Sequence, residues 1–298
     1  MPRLAFKRVL QQASPYALLA PAAFILALAC IYPVVVGFQL SFYSWQLGIP
    51  WEGKVFVGFG NFITLFRSAA FYIILRVTLT FVFTVVISEL SLGLVLALLL
   101  ERKLKGINIF RSIFILPMLI APVAVGLIWR FLYDPYFGLI NYFLKLVGVS
   151  PKMWLANPSL ALPAVIIADI WQWTPFMLIF ILAGLQSLPA DPIEAAVVDG
   201  ASYFQVLAHV KLPLLKPVLG VAVIFRLIDA FKVLEVIFNM TFGGPGRSTT
   251  VWALQIYKTA FMSQRLGMAS AYAIALLFVQ LVLSMGLLFI IRPAETKG

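Results

Sequence analysis

Charge is scarce in this sequence: Asp, Glu, Lys and Arg make up 11% of its 298 residues, where soluble domains carry roughly 25%. So little charge does not clothe a water-facing surface. With 63% hydrophobic residues and a mean hydropathy of +1.03, the chain is composed for a lipid solvent. Cysteine and histidine occur once each, as Cys30 and His209. A single cysteine excludes an intramolecular disulfide, and one of each excludes the common Cys/His metal clusters. No GxxxxGK[ST] pattern is present, so nucleotide hydrolysis by a P-loop route is excluded. The polar segments hold no acid, base and metal constellation, which argues against an enzyme. Basic residues outnumber acidic ones by 22 to 11, yet they sit at segment boundaries in ones to fours. That distribution suits anionic lipid headgroups, and without a basic stripe interleaved with aromatics it excludes nucleic acid as a partner.

What is present is length in the apolar runs. Six of them, at about 16–42, 72–100, 112–132, 160–185, 217–238 and 269–291, reach the roughly 20 helical residues that cross a hydrocarbon core. The expectation is an all-α fold, a polytopic membrane helix bundle of six transmembrane helices forming one domain over 1–298. Neither a repeat nor a low-complexity tract interrupts it. An even number of spans puts both termini on one side. If that side is the cytoplasm, inner segments hold eleven basic residues (Arg3, Lys7, Arg8, Arg102, Lys103, Lys105, Arg111, Lys211, Lys216, Arg292, Lys297) and outer segments eight (Lys54, Arg67, Arg130, Lys145, Lys152, Arg247, Lys258, Arg265). The excess places the arm 1–15 and the segment 191–217 in the cytoplasm. The basic start and the run ending LALAC resemble a signal sequence, but the run continues through Phe42, beyond the about 7–15 residues of a signal core, so an uncleaved first span is expected.

The segment 191–217, DPIEAAVVDGASYFQVLAHVKLPLLKP, holds more instructions than rejoining two spans requires. Asp191, Pro192 and Glu194 read as an N-cap carboxylate, a first-turn proline and a capping-box glutamate. Gly200 ends that short helix. Ser202 and Gln205 repeat the box for a second helix, which carries His209 as a surface or interface residue and stops near Leu212, since Pro213 disfavours helical geometry in its predecessor. Among the outer loops, 241–246 (TFGGPG) has Gly243, Gly244 and Gly246 for a sharp backbone reversal. It lacks the strand before it and the Lys-Ser/Thr pair after it that a phosphate loop needs.

Ionisable residues inside spans are costly and mark a partner or a water-filled cavity. Here they are Arg76, Glu89, Asp169, Arg226, Asp229, Lys232 and Glu235. The last four alternate in sign every three residues, which predicts pairing along one helix: an ion-paired packing seam or part of a pathway. Asp169, Gln172, Trp173 and Phe176 fall at i, i+3, i+4 and i+7 and share a helix face beside Trp171. A carboxylate, an amide and two aromatics suit a polyhydroxylated ligand, whose hydroxyls pair with the polar groups and whose ring stacks on an aromatic plate. Pro175 frees a backbone carbonyl on the same helix. A self-contained, ion-coupled secondary transporter is the alternative these charges allow, although it leaves the doubly capped segment without a purpose.

Glu194 to Pro217 resembles the EAA loop in the membrane subunits of bacterial ATP-binding-cassette (ABC) importers. Glu194, Ala195, Ala196, Asp199, Gly200 and Ala201 match its first half, and Leu212, Pro213 and Pro217 its second. TPFMLIFILAGLQSLP before the loop, then IDAF, TFGGP and IYKTAF after it, extend the likeness to the maltose-type, carbohydrate-importing branch. It runs from about Leu116 to the C-terminus, with the first two spans similar only in hydropathy. The resemblance implies a type I ABC importer permease-like fold in a bacterial or archaeal cytoplasmic (inner) membrane. The short 293–298 tail fits the first-permease type, paired with a second permease subunit as a heterodimer. Two cytoplasmic ABC ATPase subunits would use ATP and Mg, with no cofactor bound to this chain, and an extracytoplasmic solute-binding protein would deliver substrate. Glu194, Ala195, Ala196, Asp199, Gly200, Ala201, Leu212 and Pro213 would couple to the ATPase. By analogy with the sugar-bearing maltose-system subunit, Asp169, Gln172, Trp173, Phe176, Arg226, Asp229, Ala230 and Val233 would face substrate. The charges at Asp169, Arg226 and Asp229 depart from a maltodextrin site and fit a smaller or more polar sugar or polyol.

Overall fold

The computed structural model describes residues 19–101 and 106–291; the arm 1–15, the loop basics Arg102, Lys103 and Lys105, and the 293–298 tail lie outside them. Helices dominate the described residues, with one two-stranded ladder among them. Four helices are long and apolar enough to cross a membrane: Leu19–Leu40, Ala69–Leu100, Pro158–Gln186 and a last one reaching Ile291 from Leu266. These are the first, second, fourth and sixth spans. The third is a broken pair, Ile109–Leu119 and Pro122–Leu132, bent by 96°. The fifth, Leu212–Ala230, carries Lys216, Arg226 and Asp229, and that charge sets it apart from the other spans. Each of the six expected spans therefore has a helical counterpart.

The residues divide into two compact units, one reaching Arg67 and including 256–275, the other comprising 68–255 and the chain from Leu276. In the first, the apolar first span is wholly exposed along its most hydrophobic window, as a lipid-facing helix is, and Cys30 lies exposed on it. A small antiparallel ladder pairs Tyr43 with Phe56 and Ser44 with Val55. It is anchored by Asn61, whose Nδ2 donates to the carbonyls of Ser41 and Tyr43, both at 2.9 Å. Lys54 Nζ sits 3.4 Å from the Trp51 ring centroid, an interfacial arrangement that leaves the ammonium wet and its stem covered.

In the second unit the second, fourth and fifth spans share a core of Ala97, Leu100, Met177, Leu178, Ile181, Leu185, Leu215 and Ala222. Without a hydrophobic effect between helices in lipid, close approach at small residues holds such a bundle. At Gly93 an added Cβ would lie 2.6 Å from Met177 Cβ and 3.1 Å from the Leu178 nitrogen; at Gly184 one would lie 2.9 Å from Val218 Cγ1. The two broken regions also cross at a glycine, since a Cβ on Gly126 would meet Asn239 Cβ at 2.9 Å and the Val236 carbonyl at 3.1 Å.

Three local expectations change. The expected fifth helix over 217–238 instead ends at Ala230, breaks over 231–234, and restarts as Glu235–Met240. The second short helix of the 191–217 segment does not stop near Leu212. It runs from Tyr203–Val206 through a π turn, Leu207–Lys211, directly into Leu212–Ala230. The wide turn, closed by the Leu212 N–H on the Leu207 carbonyl, absorbs the proline by opening the backbone just ahead of Pro213. Asp191 is not an N-cap either: the first short helix is Ala190–Val198, capped by Pro189 without a side-chain hydrogen bond, so Asp191 lies inside its first turn, where a carboxylate still complements the helix dipole.

Candidate functional site

The fifth span's break brings charged residues from three helices to one point. Arg226, 2% exposed, is held between Glu89 of the second span and Asp169 of the fourth, themselves 0% and 1% exposed. Its Nε donates to Glu89 Oε2 at 2.6 Å and its Nη2 to Glu89 Oε1 at 2.9 Å, a two-point fork. Nη2 also pairs with Asp169 Oδ2, and Nη1 reaches Asp229 Oδ2 at 3.5 Å. Of the alternating ladder expected along the fifth span the Arg226–Asp229 rung forms, while the closer pairs of Arg226 run between spans. The physical reason is the break at Ala230, which ends the helical period before Lys232 and Glu235, while interhelical carboxylates offer Arg226 a better-shielded fit.

In front of this group lies a cleft of about 300 Å³ lined by Pro122, Asp169, Trp173, Arg226, Asp229, Lys232, Val233, Glu235 and Val236. It opens where both discontinuous spans expose irregular backbone, which in a membrane is tolerated where protein buries it or water fills a cavity. The Arg226 guanidinium lies 5.5 Å from the Trp173 ring centroid, giving the aromatic plate a cation–π contact. Of the residues expected to face substrate, Asp169, Trp173, Arg226, Asp229 and Val233 line this cleft. Gln172 does not: fully buried, its Nε2 donates 3.0 Å to the Ile120 carbonyl and so supports the kink of the third span. Phe176 packs on Phe180 at 4.6 Å between centroids, beside the apolar core, and Ala230 is buried without lining the cleft. Glu89, Lys232 and Glu235 were visible in the sequence as in-span charges, but a one-helix period does not report which of them converge across helices.

The polar interlude forms a second feature. The helix Ala190–Val198 presents Glu194 and Ala195 exposed and Ala196 partly buried. It closes in a Schellman motif, with the Gly200 N–H on the Val197 carbonyl at 3.0 Å and the Ala201 N–H on the Ala196 carbonyl at 3.0 Å. Gly200 has φ +83°, the left-handed conformation this motif requires. Asp199 is the C-cap residue before it. Next comes the reciprocal Ser202/Gln205 capping box, in which the Ser202 N–H donates to Gln205 Oε1 at 2.7 Å. Leu212 and Pro213 begin the long helix beyond the π turn. Asp199, Gly200, Gln205 and His209 help line a hollow of about 380 Å³. Around it Val197, Val198, Tyr203 and Phe204 are 59%, 86%, 51% and 76% exposed, an apolar patch of the kind that marks an interaction site. Lys211 ties this region to the end of the second span through Glu101 at 2.8 Å.

On another face, Asn141 organises the segment between the third and fourth spans. Its Nδ2 donates to the Lys152 carbonyl at 3.0 Å, and its Oδ1 accepts from the Lys152 N–H and Trp154 Nε1, both at 3.0 Å. Asp134 accepts the backbone N–H groups of Phe137 and Tyr136, which hold its carboxyl below the usual range. The 241–246 reversal forms with Gly243 and Gly246 at positive φ, its carbonyls tied by Thr249 and Thr250 hydroxyls, each at 2.9 Å.

Comparison with known proteins places these features. Residues 89–293 match the family described as binding-protein-dependent transport system inner membrane component. The trehalose/maltose transport system permease protein MalF of Thermococcus litoralis is 39% identical over 276 residues, covering 92% of each chain. The sulfoquinovosyl glycerol transport system permease protein SmoG of Agrobacterium fabrum is 35% identical over 280 residues, covering 93% of this chain and 90% of that one. Among solved structures, a bacterial alginate ABC transporter in complex with its alginate pentasaccharide-bound periplasmic protein matches with a TM-score of 0.83 and 26% identity over 98% of both chains.

Proposed function

The chain belongs to the family of binding-protein-dependent transport system inner membrane components, and from that premise we propose how its two sites work together. It is a permease subunit of an ABC importer, a multi-pass protein of the inner membrane with the fold of such permeases. The ion-coupled alternative finds no support among these relatives. The cargo is a sugar or polyol, which enters the cleft beside Trp173, Asp169 and Asp229. A second permease completes the pathway, two ABC ATPases bind the cytoplasmic side, and an external binding protein delivers substrate. The termini and the 191–217 segment lie in the cytoplasm.

One observation carries the coupling role: the exposed apolar patch of Val197, Val198, Tyr203 and Phe204 spans a stiff junction between two helices, the first closed by a Schellman motif and the second opened by a capping box. A lipid-facing segment needs neither device, whereas a surface pushed by a partner needs stiffness at its edges. ATP-driven closure of the ATPases displaces this helix and, through it, the spans. The test is uptake of radiolabelled sugar into proteoliposomes holding both permeases, the ATPases and the binding protein. Glu194→Lys reverses a charge exposed to the ATPase, and Gly200→Pro demands φ near −65° where the chain has +83°. Each is expected to abolish uptake and its coupled ATP hydrolysis while membrane insertion persists. Normal coupling in both variants overturns the docking role.

A further inference from the structure

The cleft holds its one buried cation in a way that decides what it accepts. Arg226 directs Nε and Nη2 to Glu89, Nη2 also to Asp169 and Nη1 to Asp229, so every nitrogen of the guanidinium already faces a carboxylate. It is no anion hook. Of the remaining lining charges, Asp229 keeps 47% of its side chain exposed and Glu235 is exposed, as is Lys232. Three carboxylates and two cations thus line the cleft, and one of those cations, Arg226, is already paired. Asp169 also retains Oδ1 buried without a hydrogen-bond partner. Carboxylates only accept hydrogen bonds when ionised, so this cleft offers acceptors and calls for donors. A second anion brought against such a lining meets charge of its own sign.

We propose that this cleft selects uncharged or amino-bearing sugars and polyols and excludes acidic ones, with Asp229 and Glu235 as the specificity-determining pair. This rests on the sugar or polyol reading given above, and it separates the chain from the alginate importer it resembles, whose cargo is an acidic polysaccharide. The hydroxyls or ammonium of the ligand donate to Asp229 and Glu235, while its apolar face stacks on Trp173. A carboxylate or sulfonate places like charge against like, a repulsive element of the kind that specificity uses.

Equilibrium dialysis of the purified importer complex, without binding protein so that the complex alone discriminates, tests the charge rule. The probes are matched pairs: glucose with glucuronate, galactose with galacturonate, and mannitol with gluconate. The neutral member is expected to bind about tenfold or more tightly than its acidic partner, a modest share of what like-charge juxtaposition costs. In the Asp229→Asn, Glu235→Gln double variant the ratio is expected to fall toward one. An acidic member binding as tightly as its neutral partner, a ratio unmoved by the double variant, or no binding by any pair overturns the proposal. ATP-driven uptake in the proteoliposome assay reports separately on the sugar reading: uptake of acidic sugars sinks the charge rule alone, and absence of any sugar or polyol uptake sinks both.

Discussion

Arg226 shows how much one residue binds together in this chain. Its guanidinium joins helices that are 57 and 137 positions apart in sequence, and all three members of the Glu89, Asp169, Arg226 group are nearly inaccessible. Desolvating such charges is costly, so the intact group is weak evidence for stability, but removing one member leaves another buried and uncompensated. Glu89→Ala is therefore expected to destabilise the chain by about 3–5 kcal/mol, read as a lowered midpoint in denaturant titrations in detergent. Glu89→Gln, which keeps a hydrogen-bond acceptor, is expected to lose less; a neutral outcome for Glu89→Ala would mean the pair does not hold the spans. Each of these charges was legible in the sequence as an anomaly within an apolar run. Their partners were not, because the repeat at 226, 229, 232 and 235 is visible along the chain and the approach of residues 89 and 169 is not. Gln172 illustrates the same limit: its place on the Asp169 face was correct by period, yet its amide is engaged by the kinked backbone at Ile120.

At the scale of elements, small residues and breaks decide the geometry more than hydropathy does. The second and fourth spans meet where a Cβ on Gly93 would lie 3.1 Å from backbone atoms of Met177 and Leu178, so the neighbour has no flexible side-chain end to withdraw. Gly93→Ala is expected to cost about 1–3 kcal/mol, as overpacking does, and Gly93→Leu more, with both lowering thermal stability in detergent. The wild-type midpoint in Gly93→Leu would show that the spans separate without penalty. The capping box is more modest: Ser202→Ala together with Gln205→Ala is expected to cost about 1–2 kcal/mol locally, seen as faster amide exchange over 203–206. That box and Gly200 were readable from sequence, since capping and left-handed closure are local chemistry. The continuation through Pro213 was not, because proline's usual veto on helix is lifted by a π turn that leaves no compositional trace. The span boundaries were readable to within a few residues except at the fifth, where a break among apolar residues has no glycine or proline to announce it.

For the whole molecule, that unforeseen continuity supplies the link between the exposed apolar patch and the cleft. From Tyr203 to Arg226 the chain is one helical run, roughly 35 Å at 1.5 Å per residue, with the exposed apolar patch at one end and the cleft at the other. Force applied at the patch reaches Arg226 through a helical run that contains the π turn Leu207–Lys211 and Pro217 but no loop. Since Arg226 also grips Glu89 and Asp169, moving the fifth span strains the group that closes the cleft from behind, and a small displacement then has two discrete outcomes, group intact or group parted. If stiffness is what transmits the push, softening the run without changing its length uncouples the ends. Ala208→Gly with Leu214→Gly does this, each glycine weakening the helix by up to about 1 kcal/mol, while both residues lie outside the lining of the cleft and of the hollow beside the patch. The importer built with the double variant is expected to assemble and its ATPases to hydrolyse ATP, yet to lose most of its uptake, measured in the same proteoliposomes as the wild type. A Gly148→Ser change at an exposed turn with φ +77°, between the third and fourth spans and outside the run, is expected to leave the ratio of sugar moved to ATP hydrolysed unaltered. An unchanged ratio in the double-glycine variant as well would show that the push travels by another route, and the helix from Tyr203 to Ala230 would then be scaffold, not lever.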